Sequence, residues 1–123
     1  ICHATCVIAH DLGASAIVTA TQSGYTARMV SKYRPASTII AATTSEKTYR
    51  ELALVWGVWP YISPQMDNTD EMIQKSVEIA TETKIVKCGD VIVITGGIPL
   101  GISGTTNMVK VHIVGDNGKE KVF

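Results

Sequence analysis

"AIVTATQSGYTARMVSKYRPASTIIAA", residues 16–42, passes through one cycle of strand, loop, helix and strand, and its reading decides the fold. The opening "AIVTA" is apolar, rich in branched residues and too short for a helix. Gly13 precedes it and the polar "TQSG" follows it, so it is predicted to be a buried strand. "YTARMVSKY" then resumes helical propensity until Arg34-Pro35, where proline restricts the residue before it and cannot continue the helix. "STIIAA" reads as a second strand.

The cycle repeats downstream. Thr43 with Glu46 fits a capping box ahead of the helical "KTYRELALVW", with Gly57 as its stop. A weaker strand, "VWPYI", follows, and its Pro60 argues for an edge or irregular position. Asp67, Asn68 and Thr69 offer N-caps for a helix from residue 70 to about residue 83, with Met72, Ile73, Ser76, Val77 and Ala80 inward. "KCGD" supplies a turn, "VIVITGG" a strongly apolar strand, and a Gly-rich loop leads to "NMVKVHIV". That last strand arrives without an intervening helix, so it is expected antiparallel to its neighbour. Upstream, Ala4, Ile8 and Leu12, with Thr5 and Ala9 alongside, keep helical spacing up to Gly13. No internal repeat or low-complexity linker stands out, and the tail "GDNGKEKVF" reads as a turn or the start of a connection.

Strands alternating with helices predict an α/β fold: a three-layer α/β/α sandwich over a mostly parallel sheet of about five strands, the last antiparallel. With 123 residues, 46% of them hydrophobic, the chain is expected to form one compact domain over residues 1–123. Its apolar runs fall short of the roughly 20 residues a spanning helix needs, so no membrane partner is expected. Eleven basic and eleven acidic residues cancel, so no overall field favours nucleic acid. A small molecule or another protein is the expected partner. Cys2, Cys6 and Cys88 cannot all pair within the chain, and without a secretory signal a reduced, cytoplasmic setting is expected. The chain opens in mid-helix without an initiator Met, as a piece of something longer would.

In open α/β sheets ligands collect beyond the carboxyl ends of strands, near helix N-termini. Residues 21–26 sit at such a place. Thr21, Ser23 and Thr26 add hydroxyls, Gly24 permits a close backbone turn, and the helix starting near Tyr25 points its N–H groups at any anion. The composition is that of a phosphate nest, although Ser and Thr also cap helices irrespective of ligand. The second loop, "GGIPLGISGTTN", could close over the same end of the sheet. Cys2, Cys6 and His10 recur at every fourth position of one helix, with His3 adjacent. One straight helix does not wrap a tetrahedral ion, so packing is the expected role and no metal site is assigned. Asp11, Asp67, Asp70, Glu71 and Asp90 form no compelling carboxylate pair, and no catalytic residue is assigned.

Taken together, "AIVTATQSGYTARMVSKYRP", "IIAATTSEKTYRELALVWGVWP" and "GDVIVITGGIPLGISGTTNMVKV" resemble the C-terminal domain of pyruvate kinase over nearly the whole chain. The elements that carry the resemblance are the Thr-x-Ser-Gly-x-Thr-Ala loop, "SKYRP", "WGV" and "GTTN". It implies the regulatory and subunit-assembly domain of a glycolytic enzyme that transfers phosphate from phosphoenolpyruvate to ADP. In that family the chemistry, with its magnesium and potassium, lies in a separate barrel, which implies no cofactor in this domain and no activity for this chain alone. Thr21, Gln22, Ser23, Gly24, Tyr25 and Thr26 correspond to the family's effector-phosphate loop, and Gly97, Gly101, Ser103 and Gly104 to a second effector loop. Members that respond to fructose 1,6-bisphosphate often have Lys where this chain has Gln22, and basic or aromatic anchors where it has Ile98, Pro99, Leu100 and Ile102. The missing charge weakens the case for a bisphosphate, and a monophosphate such as AMP or a hexose phosphate is expected at least as much; the expected partner is a sugar phosphate or AMP. A homo-oligomer is implied, with the helix bearing Cys2 and Cys6 and the strand near residues 109–114 as contact surfaces. The alternatives are a purely structural oligomerisation module that binds no effector, and a free-standing phosphotransferase or nucleotide-binding enzyme on the same fold.

Overall fold

The computed structural model describes residues 1–64, 68–96, 108–115 and 121–122. Asp67, the Gly-rich loop from residue 97 to 107 and most of the tail lie outside the described residues. The elements are α1 (Cys2–Leu12), β1 (Ala16–Ala20), α2 (Tyr25–Lys32), β2 (Thr38–Thr43), α3 (Glu46–Leu52), β3 (Val58–Ile62), α4 (Thr69–Glu82), β4 (Val91–Gly96), β5 (Met108–Ile113) and β6 (Lys121–Val122).

The sheet runs β3-β2-β1-β4-β5-β6. The four strands from β3 to β4 are parallel, and β5 and β6 are antiparallel to their neighbours. This is the expected mostly parallel sheet with one more short strand. β3 pairs only with β2 and forms an edge, where Pro60 removes no needed ladder donor.

Side-chain alternation divides the strands between two layers of helix. Ala16, Val18, Ile40, Ala42, Ile92 and Ile94 point toward α4 and pack with Met72, Ile73, Ile79 and Ala80. The alternate residues Ile17, Ile39, Ala41 and Val93 meet Ala9 of α1, Ala27 and Val30 of α2, and Leu52 of α3. A strand buried on both faces has no polar side, which is why β1, β2 and β4 read as continuous apolar runs.

Four details differ from the sequence reading. On α1 the buried residues are Thr5 and Ala9, flanked by half-buried Cys2, Cys6 and Ile8, while Ala4 and Leu12 face outward. Thr5 tolerates burial because its hydroxyl donates to the Ile1 carbonyl one turn back, at 2.8 Å. The N-cap of α3 is Ser45, not Thr43: Ser45 Oγ accepts from the Thr48 amide at 3.2 Å, and Thr43 Oγ1 accepts from the Ser45 amide at 3.1 Å. That helix stops at Leu52, and two tighter turns, in which Leu54 N–H donates to Glu51 and Val55 N–H to Leu52, carry the chain to β3. On α4, capped by Asn68, Ile79 is buried whereas Val77 is only partly so.

The order of strands places the loops. From β1 the chain winds outward through β2 to β3, and α4 then carries it back to β4 on the other flank of β1. The winding direction therefore reverses between β1 and β4, and the carboxyl ends of those two strands bound the crevice where open α/β sheets take ligands.

Candidate functional site

The loop after β1 is held by its own hydroxyls. Thr21 N–H donates to the Ala42 carbonyl of β2 at 2.9 Å, and buried Thr21 Oγ1 accepts from the Gly24 amide at 3.0 Å. Gly24 is the N-cap of α2 at φ 86°. A Cβ there would lie 3.2 Å from Leu52 Cδ2 and 3.3 Å from Thr48 Cγ2, so the position is closed to a side chain both by conformation and by space. Ser23 and Tyr25 face solvent, Thr26 is buried, and the Tyr25 amide reaches Ser23 Oγ at 3.4 Å.

Gln22 ties this loop to the next one. Its carbonyl accepts from Thr48 Oγ1 at 2.8 Å and from Thr43 Oγ1 at 3.5 Å, and its Oε1 accepts from Thr44 Oγ1 at 2.7 Å. The partners belong to a second loop of the same design. Ala20-Thr21-Gln22-Ser23-Gly24-Tyr25-Thr26 and Ala42-Thr43-Thr44-Ser45-Glu46-Lys47-Thr48 share the pattern Ala-Thr-x-Ser-x-x-Thr, and Ala20 stands opposite Ala42 in the parallel register. Two like loops thus leave adjacent strands side by side. No internal repeat was expected from the sequence, because seven residues with four matches are weak until the register aligns them.

The two loops differ where an anion would feel it. In the second, Ser45 caps the helix and Glu46 occupies the first turn. α4 likewise has Asn68 as cap and Asp70 and Glu71 in its first turn. α2 begins with no side-chain cap and no acidic residue. A helix N-terminus carries partial positive charge, which acidic residues complement in α3 and α4, whereas the first turn of α2 has none.

A family model described as the pyruvate kinase alpha/beta domain matches residues 1–112. The chain belongs to that family. It is 56% identical over 110 residues to a pyruvate kinase of Clostridium acetobutylicum, covering 89% of this chain and 23% of that protein. With a pyruvate kinase of Lactobacillus delbrueckii subsp. bulgaricus it shares 49% identity over 108 residues, covering 88% of this chain and 18% of the relative. A crystal structure of a pyruvate kinase from Cryptosporidium parvum superposes with a TM-score of 0.82 at 31% identity, covering 93% of this chain and 22% of that one. The chain therefore spans about a fifth of the length of the pyruvate kinases it matches.

Of the residues assigned through the pyruvate kinase resemblance, Thr21, Gln22, Ser23, Gly24, Tyr25 and Thr26 lie together at the carboxyl end of β1. Gly97, Gly101, Ser103 and Gly104 lie outside the described residues, although β4 delivers the chain to the same crevice. Sequence reasoning missed Thr44 and Thr48, which anchor Gln22, and also Arg28. The Arg28 guanidinium packs beside Gly24, with Nε 3.5 Å from where a Gly24 Cβ would be, and its Nη2 pairs with Glu51 Oε2 at 2.9 Å. The repeated Ala-Thr-x-Ser-x-x-Thr pattern was the available signal for the threonines; the Arg28–Glu51 pair, 23 residues apart, had none. Among the described residues no group of three His, Cys, Asp or Glu side chains is placed to hold a metal, and no helix is long and apolar enough to cross a membrane. Cys2 and Cys6 pack under α1 against the core, where burial pushes both thiols' pKa up.

Proposed function

We propose that this chain is the regulatory and subunit-assembly domain of a pyruvate kinase, the cytoplasmic enzyme that moves phosphate from phosphoenolpyruvate to ADP. Residues 21–26 receive the phosphate of an allosteric effector. Magnesium, potassium and the transfer chemistry belong to the catalytic part of the longer protein, and the chain alone turns over nothing. The observation that carries the effector reading is the contrast between twin loops. The loop at the switch crevice opens a helix with no side-chain cap and no carboxylate in its first turn, while its neighbour on β2 is capped by the Ser45 side chain and has Glu46 in its first turn.

The charges near the loop favour one phosphate over two. Arg28, Lys47 and Arg50 are all engaged with Glu46 or Glu51, and Gln22 offers an amide rather than an ammonium. AMP or a sugar monophosphate fits that balance better than a bisphosphate. Assembly into a homo-oligomer draws support from α1, whose outer face carries Ala4, Val7 and Leu12. Apolar residues turned outward on one helix suit a protein contact.

Calorimetric titration with AMP, ribose 5-phosphate, glucose 6-phosphate and fructose 1,6-bisphosphate tests the reading. Ser23→Asp puts a carboxylate where the anion would bind and is expected to cost about 2–5 kcal/mol of affinity, at least a tenfold loss. The melting temperature should stay put, because Asp suits a helix N-terminus and Ser23 is exposed. Equal affinity of parent and variant for every ligand, or no binding at all, would leave the loop as a helix start and the domain as an assembly module.

A further inference from the structure

We propose that Arg28 is a phosphate-binding residue held in reserve by Glu51: when an anion enters the loop of residues 21–26, the guanidinium leaves Glu51 for the phosphate and Lys47 takes its place. The inference rests on the effector-loop reading and names a residue and a mode of regulation that the loop alone does not supply.

Its first support is position. Arg28 is the fourth residue of α2, its amide donates to the Gly24 carbonyl at 3.0 Å, and its side chain folds back along the helix to lie beside Gly24. Side chains on a helix lean toward its N-terminus, so a cation one turn into α2 is directed at the loop that opens it.

Energetics supply the second. The Arg28–Glu51 pair is exposed, with side-chain accessibilities of 48% and 42%, and such pairs are held by little net free energy. A guanidinium binds phosphate through two parallel hydrogen bonds to a doubly charged group, which is the stronger partnership.

The third is that Glu51 is not abandoned. Lys47 Nζ already stands 3.9 Å from Glu51 Oε1, one helical turn away on α3. Exchange of partners therefore strands no charge. Arg50, the remaining cation of α3, is committed to Glu46 and does not compete. Because Arg28 sits on α2 and Glu51 on α3, the exchange also releases a link between the two helices, so occupancy of the loop is felt by α3.

The experiment is a thermodynamic cycle on the 123-residue chain, titrated with AMP, ribose 5-phosphate and inorganic phosphate, with thermal melts as the control on folding. Glu51→Gln removes the competitor and should tighten binding about two- to fivefold. Arg28→Gln should weaken it about tenfold or more. The double variant should bind like Arg28→Gln alone, since Glu51 acts only through Arg28. A Glu51→Gln gain that survives in the double variant is a general charge effect and overturns the proposal. So does binding by the parent that Arg28→Gln leaves unchanged, a result that spares the effector loop itself. Absence of binding by the parent to all three probes, and to glucose 6-phosphate and fructose 1,6-bisphosphate, removes the loop reading and this proposal together.

Discussion

Thr48 donates its hydroxyl to the Gln22 carbonyl at 2.8 Å and so fastens the loop after β1 to the first turn of the helix after β2. The two residues are 26 apart in sequence and meet because β1 and β2 are parallel neighbours in register. Thr48 is buried, and the second hydroxyl on that carbonyl, from Thr43, is at the longer distance of 3.5 Å.

Thr48→Val, which keeps the shape and removes the hydroxyl, is accordingly expected to destabilise the fold by about 1–2 kcal/mol. Thr48→Ser should recover most of that loss. Urea denaturation with unchanged slope is the measurement, and a Val variant as stable as the parent would show that water or Thr43 replaces the bond at no cost.

Gly24→Ala is expected to cost about 1–3 kcal/mol, from the left-handed backbone together with displacement of Leu52 and Thr48. The same substitution at Gly13, which is also left-handed but has nothing within 4 Å of an added Cβ, carries the backbone penalty alone and should cost less. Comparing the two melting temperatures separates strain from crowding.

The thiols of Cys2 and Cys6 are raised by burial, and for Cys6 also by its neighbour Cys2, whereas Cys88 lies exposed in the turn before β4. A raised pKa means less thiolate at a given pH. Iodoacetamide at pH 8 should modify Cys88 first because it is exposed while Cys2 and Cys6 are half-buried, and labelling of those two should reach half its plateau rate above the pH of about 8.5 found for a free thiol. Peptide mass mapping over time reads the order, and equal rates at all three positions would contradict it.

Much of the fold was legible without tertiary structure, for reasons visible in single residues. Ala16–Ala20 and Val91–Gly96 are runs of small and branched apolar residues that only a strand buried on both faces accommodates, and Pro35 must end the helix before it. Gly13 marked a helix end because a residue without Cβ enters the left-handed region freely, as it does here at φ 62°. The hydroxyl-rich residues 21–26 were likewise visible as a loop leading from a strand into a helix, because their composition and their place between the two are local properties.

What the chain order could not determine was which side of each element met a partner. α1 carries apolar or small residues almost all round, so periodicity could not choose between the stripe of Ala4 and Leu12 and that of Thr5 and Ala9. Packing against α2 and the sheet chose the latter, because Ala9 lets the helix lie close and Thr5 satisfies its own hydroxyl. The cap of α3 fell to Ser45 rather than Thr43, since Thr43 is the last residue of β2 and already within the sheet. Gln22 meeting Thr44 and Thr48, and Arg28 meeting Glu51, depend on strands β1 and β2 being neighbours with Ala20 opposite Ala42. That neighbourhood is a long-range pairing, stabilised by the sheet as a whole, and no local stretch of sequence encodes it.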